Sequence, residues 1–146
     1  MKKIIIYIDG GSRGNPGPAA LGVVFCNEKG QAVKTYSQFL GEITNNEAEY
    51  QAFIFALKKF KLIFGKKLAK SSEIEICSDS QLLVKQLKGE YKILDEKIQK
   101  LFLQAWNLKL DFKKVKIKYI SREKNKTADR LLNEALDQEL KNKKLF

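Results

Sequence analysis

Histidine is absent from this sequence of 146 residues. That removes the usual side-chain proton shuttle. Because only two cysteines are present, it also removes the usual four-ligand zinc site. Cys26 and Cys77 lie inside apolar, strand-like runs and are read as buried reduced thiols, too few for a disulfide framework. Long hydrophobic runs are also missing. The apolar stretch after Met1-Lys2-Lys3 ends at Asp9, too short for a secretory h-region. Nothing approaches the roughly 20 apolar residues of a membrane span. No tract is of low complexity and no repeat is visible. A cytoplasmic protein with no membrane partner is expected. Only Arg13, Arg122 and Arg130 are arginines, yet 28 Lys and Arg against 17 Asp and Glu give a net charge of +11. Such a charge attracts polyanions, nucleic acid first.

The length fits one domain over residues 1–146. Residues 3–9 form a β-branched run before Gly10-Gly11, so a buried strand is expected to stop there. Gly14-Asn15-Pro16-Gly17-Pro18 is loop chemistry. Residues 20–26 and 31–40 read as strands joined by a turn at Asn27–Gly30, giving an antiparallel meander. Thr44-Asn45-Asn46-Glu47 is a helix start, and the helix runs to about residue 64 with positions 49, 53, 56, 57 and 60 on one face. Residues 73–78 are a strand, 81–87 and 95–108 are helical, and 115–120 are a strand, which implies a parallel crossover. The last helix spans about 127–141, with Asp129 and Leu132, Leu136 and Leu140 on one face. Phe102 and Trp106, at helical spacing, are read as core. The fold class is α/β: a mixed five-stranded sheet, three antiparallel strands then two parallel, with helices on both faces.

Four acids stand at element ends among apolar neighbours: Asp9, Glu49, Asp79 and Asp129. Each alone has an ordinary structural explanation, as turn residue, cap or helix-dipole partner. Together they are expected to be buried beyond the carboxyl ends of the first and fourth strands, where α/β sheets place their sites. Clustered buried carboxylates repel one another and protonate unless a cation neutralises them. Hard oxygen ligands without His or Cys suit Mg²⁺ or Mn²⁺, and two such ions can clamp an in-line phosphoryl displacement.

Four sequence words surround these acids. Ile8-Asp9-Gly10-Gly11-Ser12-Arg13-Gly14-Asn15-Pro16-Gly17-Pro18-Ala19 resembles the first signature of the type 1 ribonuclease H family. Thr44-Asn45-Asn46-Glu47-Ala48-Glu49 resembles the second, Ser78-Asp79-Ser80-Gln81 the third, and Arg122 through Asp129 the fourth. The resemblance runs from residue 3 to about 137 and implies a ribonuclease H-like fold. It also implies endonucleolytic cutting of the RNA strand of RNA–DNA hybrids, leaving 5′-phosphate and 3′-hydroxyl ends. By the same resemblance Asp9 bridges two metal ions, Asp129 completes the ion beside the attacking water, and Glu49 and Asp79 hold the ion beside the leaving 3′-oxygen. Gly11, Ser12, Arg13, Asn15, Asn45 and Gln81 are implied in hybrid binding through the 2′-hydroxyls and backbone. Thr44 and Asn46 match a pocket for a DNA-strand phosphate.

Two departures stand out. Many family members carry a histidine before the last Asp; here Arg122 or a nearby lysine takes its place, and an arginine pairs with phosphate but moves no proton. The rate is therefore expected to rise with pH without an ionisation near 6.5. The basic protrusion of some members is also missing, because Leu87–Lys92 passes directly to the next helix. Grip then falls to Lys85, Lys88, Lys92, Lys124 and Lys126. A monomer is expected, and the start at Met1 just before the first strand favours a free-standing enzyme. The competing reading is a module that binds hybrid or double-stranded RNA on the same fold with little or no cleavage.

Overall fold

The structure, a computed structural model, describes residues 2–145, with side chains described for residues 3–144. Five strands form one sheet in the order β3-β2-β1-β4-β5. They are β1 (Lys2–Ser12), β2 (Gly17–Cys26), β3 (Ala32–Ile43), β4 (Ser72–Ser78) and β5 (Lys114–Tyr119). β1 pairs antiparallel with β2, and β2 with β3; β1 and β4, then β4 and β5, are parallel. The expected mixed sheet is present.

The period of two in β1 assigns its faces. Ile6 and Ile8, fully buried, pack under α1 (Asn45–Ser71), together with Phe53, Leu57 and Phe60 from that helix. Ile5 and Tyr7 point the other way, against Ala128 and Leu131 of α4 (Lys126–Leu145). Helices therefore cover both faces. α2 (Gln81–Leu87) and α3 (Glu96–Lys109) complete the α1 side. The phenol of Tyr50, buried in α1, donates to Gln86 Oε1 of α2 at 2.9 Å, so neither polar group is left unpaired.

Several expectations need correction. β1 does not stop at Gly10-Gly11. It stays paired with β2 through Ser12, so Asp9 is a strand residue and not a turn residue. α1 reaches Ser71, but Gly65 at φ 85° breaks it, close to the expected end. The aromatic spacing on α3 marks the rim of the core. Trp106 is 46% exposed, stacked on Phe102 with Lys109 Nζ 5.0 Å from its ring. Leu132 and Leu136 are buried as expected, whereas Leu140 is half exposed because α4 runs past the sheet there. Cys26 and Cys77 are buried free thiols, as read from their neighbours.

Candidate active site

The parallel pairing of β1 with β4 sets Ile8 opposite Ser78, so Asp9, still paired with β2, and Asp79, just past the end of β4, lie side by side. Glu49 and Asp129 arrive from helices on opposite faces, and two glycines let them approach. A Cβ on Gly10 would overlap the carbonyl of Ala48, so only glycine lets the first turn of α1 lie on β1 beside Asp9. Gly22 faces Asp9 across the β1–β2 ladder, and a Cβ there would overlap the carbonyl of Ala128, next to Asp129. Gly22 escaped the sequence reading. A glycine inside a strand does signal close approach of another backbone, but it does not say which one.

A cavity of about 480 Å³ results, lined by all four acids together with Gly11, Ser12, Arg13, Asn45 and Arg122. Asp9, Glu49 and Asp79 are half-buried. Asp129 is exposed, contrary to expectation, because the first turn of α4 forms the cavity mouth. None of the four is in an ion pair among the described residues.

The electrostatics follow from that crowding. Burial raises Asp9 to about 8. Repulsion from Asp79, Asp129 and Glu49 adds to this, as does a hydrogen bond with Asp129. Burial raises Glu49 to about 7, helped by Asp79 and opposed by a hydrogen bond from Ser80 and by the Arg122 charge. Burial also raises Asp79, while an Asn125 hydrogen bond and Arg122 pull it down. Asn125, 1% exposed, donates Nδ2 to the Ile8 carbonyl at 2.8 Å. It thus ties the strand end carrying Asp9 to the loop that precedes α4. Ser80 also caps α2, accepting from Leu83 N–H. Both lay inside recognised words, but only packing shows that they touch the acids.

The donor set fits a hard divalent cation: several carboxylates without cationic partners, held together at the cost of raised proton affinity. Among the described residues no three of these acids are drawn together into a finished ligand cage. The mutual pKa effects show that they sense one another across the cavity.

The glycine-rich loop is tied to the start of α1. Ser12 N–H donates to Asn45 Oδ1 at 2.8 Å, and Asn45 N–H donates to Asn15 Oδ1 at 3.0 Å. Thr44 is the N-cap of α1: its hydroxyl accepts from Glu47 N–H and donates to Glu47 Oε1. Asn46 leaves Oδ1 buried without a partner. Asn15, Thr44, Asn46 and Gln81 lie outside the cavity lining, whereas Gly11, Ser12, Arg13, Asn45 and Arg122 belong to it. Arg13 turns onto α4, donating to Asp137 at 2.8 Å and Asn133 at 3.2 Å.

The family described as reverse transcriptase-like matches residues 7–135. A bifunctional protein of Mycobacterium tuberculosis is 38% identical over 136 residues, 92% of this chain and 36% of that protein. Ribonuclease HI of Halobacterium salinarum is 40% identical over 135 residues, 92% of this chain and 65% of the relative. The chain thus spans about a third to two thirds of the length of these relatives. The structure of LC11-RNase H1 in complex with RNA/DNA hybrid superposes with a TM-score of 0.89 at 44% identity, covering 94% of this chain and 99% of that one.

Proposed function

From the premise that the chain belongs to the type 1 ribonuclease H family, we propose that it is an endoribonuclease that hydrolyses the RNA strand of RNA–DNA hybrids. The observation that carries this reading is the convergence of Asp9, Glu49, Asp79 and Asp129 from four elements on one cavity, beside a glycine-rich loop. Those acids would hold two divalent cations, Mg²⁺ or Mn²⁺, with Asp9 at the centre. When bound, the cations supply positive charge to the attacking and leaving oxygens of an in-line displacement.

The chain's own side chains do the rest. Asn125 and Ser80 stand beside Asp79 and Glu49 and favour their charged forms. Arg122, on the short 3₁₀ turn Arg122–Asn125, lines the cavity and offers a fixed charge to the scissile phosphate. The Ser12–Asn45–Asn15 ties present the backbone of Gly11 and Ser12 to the RNA minor groove, where the 2′-hydroxyl distinguishes RNA from DNA. Products then carry 5′-phosphate and 3′-hydroxyl ends. A monomer suffices, because every residue of the site comes from one chain.

Hybrid, double-stranded RNA and double-stranded DNA should be offered in parallel with Mg²⁺, Mn²⁺ or EDTA, to the protein and to its Asp79→Asn variant. Cutting of the hybrid RNA strand alone, abolished by EDTA and by Asp79→Asn with hybrid binding retained, is expected. Tight hybrid binding by the unaltered chain without cleavage under either metal would instead identify a binding module.

A further inference from the structure

Asp129 is the one exposed acid of the four, on the first turn of α4. An exposed Asp is free to exchange rotamers, so its aim depends on the neighbours that hydrogen-bond to it. One turn further along, Asn133 donates Nδ2 to Asp129 Oδ1 at 3.3 Å and to the Asp129 carbonyl at 3.0 Å.

A side-chain amide has a donor end and an acceptor end, and either can face a neighbour. Here Arg13 selects. Its Nη2 donates to Asn133 Oδ1 at 3.2 Å, which leaves the NH₂ end for Asp129. Arg13 is itself anchored twice: by the ion pair with Asp137 at 2.8 Å and by its backbone N–H to Pro18 O at 2.8 Å. The result is a hydrogen-bonded chain, Asp137–Arg13–Asn133–Asp129, running from the glycine-rich loop to an acid of the site.

We propose that Asn133 is a positioning residue that aims the Asp129 carboxylate into the cavity, and that Arg13 acts through Asn133. The inference rests on the hybrid-nuclease reading and adds to it a physical link between the substrate loop and one acid. An amide suits the task. A lysine or arginine at 133 would ion-pair with Asp129 and compete with a divalent cation, whereas a neutral donor orients the carboxylate and leaves its charge available. Arg13 meets Asp129 through Asn133 and pairs its charge with Asp137.

The test has two readouts on the unaltered protein, Asn133→Ala, Arg13→Gln and the double variant. Mn²⁺ is titrated into metal-free protein without nucleic acid, with free ion followed by electron paramagnetic resonance. Hybrid cleavage is resolved into kcat and KM. Asn133→Ala is expected to weaken Mn²⁺ binding and lower kcat by about three- to tenfold, the scale of one ordinary solvent-exposed hydrogen bond, with KM nearly unchanged. Arg13→Gln should show a smaller loss of Mn²⁺ affinity, the readout that its own contact with hybrid does not touch. In Mn²⁺ affinity the double variant should be no worse than Asn133→Ala, because Arg13 acts on Asp129 through Asn133.

Alanine favours a helix, so Asn133→Ala should keep its fold, which its melting temperature checks. Unchanged Mn²⁺ affinity and kcat in Asn133→Ala would overturn the proposal. So would a higher KM and unaltered Mn²⁺ affinity in Arg13→Gln, which would make Arg13 a phosphate contact. If the unaltered protein fails to cut hybrid, the nuclease reading fails, while the Mn²⁺ titration still decides whether Asn133 positions Asp129.

Discussion

At the scale of single residues, the crowded carboxylates of the site work against folding as they ionise. Asp9 at about 8 and Glu49 at about 7 bind protons far more tightly in the folded chain than the roughly 4 of unfolded carboxyls. Between those limits the native state carries more protons than the unfolded one, so stability falls as pH rises through that window. The metal-free protein should therefore melt at progressively lower temperature from about pH 5 to pH 8. Adding Mg²⁺ should raise the melting temperature more at pH 8 than at pH 5, because ions and protons compete for the same carboxylates. Asp9→Asn should flatten much of the metal-free slope and abolish cleavage. Thermal unfolding of both proteins across pH, with and without Mg²⁺, checks this. A melting temperature that climbs over the window would contradict the assignment of raised carboxyls.

At the scale of elements, the site is a junction of two helix starts and two strand ends, and the packing of glycine against backbone sets its dimensions. Gly22 has Ala128 O and Leu132 N of α4 where a Cβ would sit. Neither backbone atom can rotate aside as a side chain could, so α4 must lift. Gly22→Ala is expected to cost about 1–3 kcal/mol of stability, the scale of overpacking in a well-filled interior. It should also cut activity by more than the loss of folded protein, since Asp129 moves with the helix. Denaturant unfolding and cleavage of the same preparation separate the two effects. Gly30, whose added Cβ meets nothing within 4 Å, marks the contrast in space, though its φ of +80° adds a strain of its own. α3 shows how an element can be placed correctly while its faces are misjudged: the spacing of Phe102 and Trp106 located the helix, but Trp106 ended at the rim with Lys109 across it.

At the scale of the molecule, a net charge of +11 surrounds a cavity lined by four acids. On the proposed reading the two signs serve different steps: the basic surface would draw in a polyanion that the acids alone would repel. Lys88, Lys92, Lys124 and Lys126 are exposed, whereas Lys85 is partly engaged with the Tyr91 ring at 5.0 Å. If four such lysines meet phosphates, hybrid affinity should fall on the order of a hundredfold between about 50 and 200 mM salt. Replacing Lys124 and Lys126 with alanine should lower the log–log salt slope by about two. Hybrid binding measured across salt checks this, and a flat dependence would remove lysines from the grip.

Strand and helix identities were readable along the chain because alternation and helical spacing are local properties of burial. The four acids were readable because each sits near an element boundary inside a dense cluster of loop and cap residues, and the first word around Asp9 is long. Asn125, Gly22, Asn133 and the exposure of Asp129 were not. The Asn125 bond to Ile8 spans 117 positions, and the Arg13 bond to Asn133 spans 120. No periodicity encodes contacts at such separations. The order of side chains dictated which elements form and which acids end them. Only the docking of α1 and α4 on opposite faces of β1 decided how those acids meet, because that depends on which backbones can touch, and glycine permits touching without naming its partner.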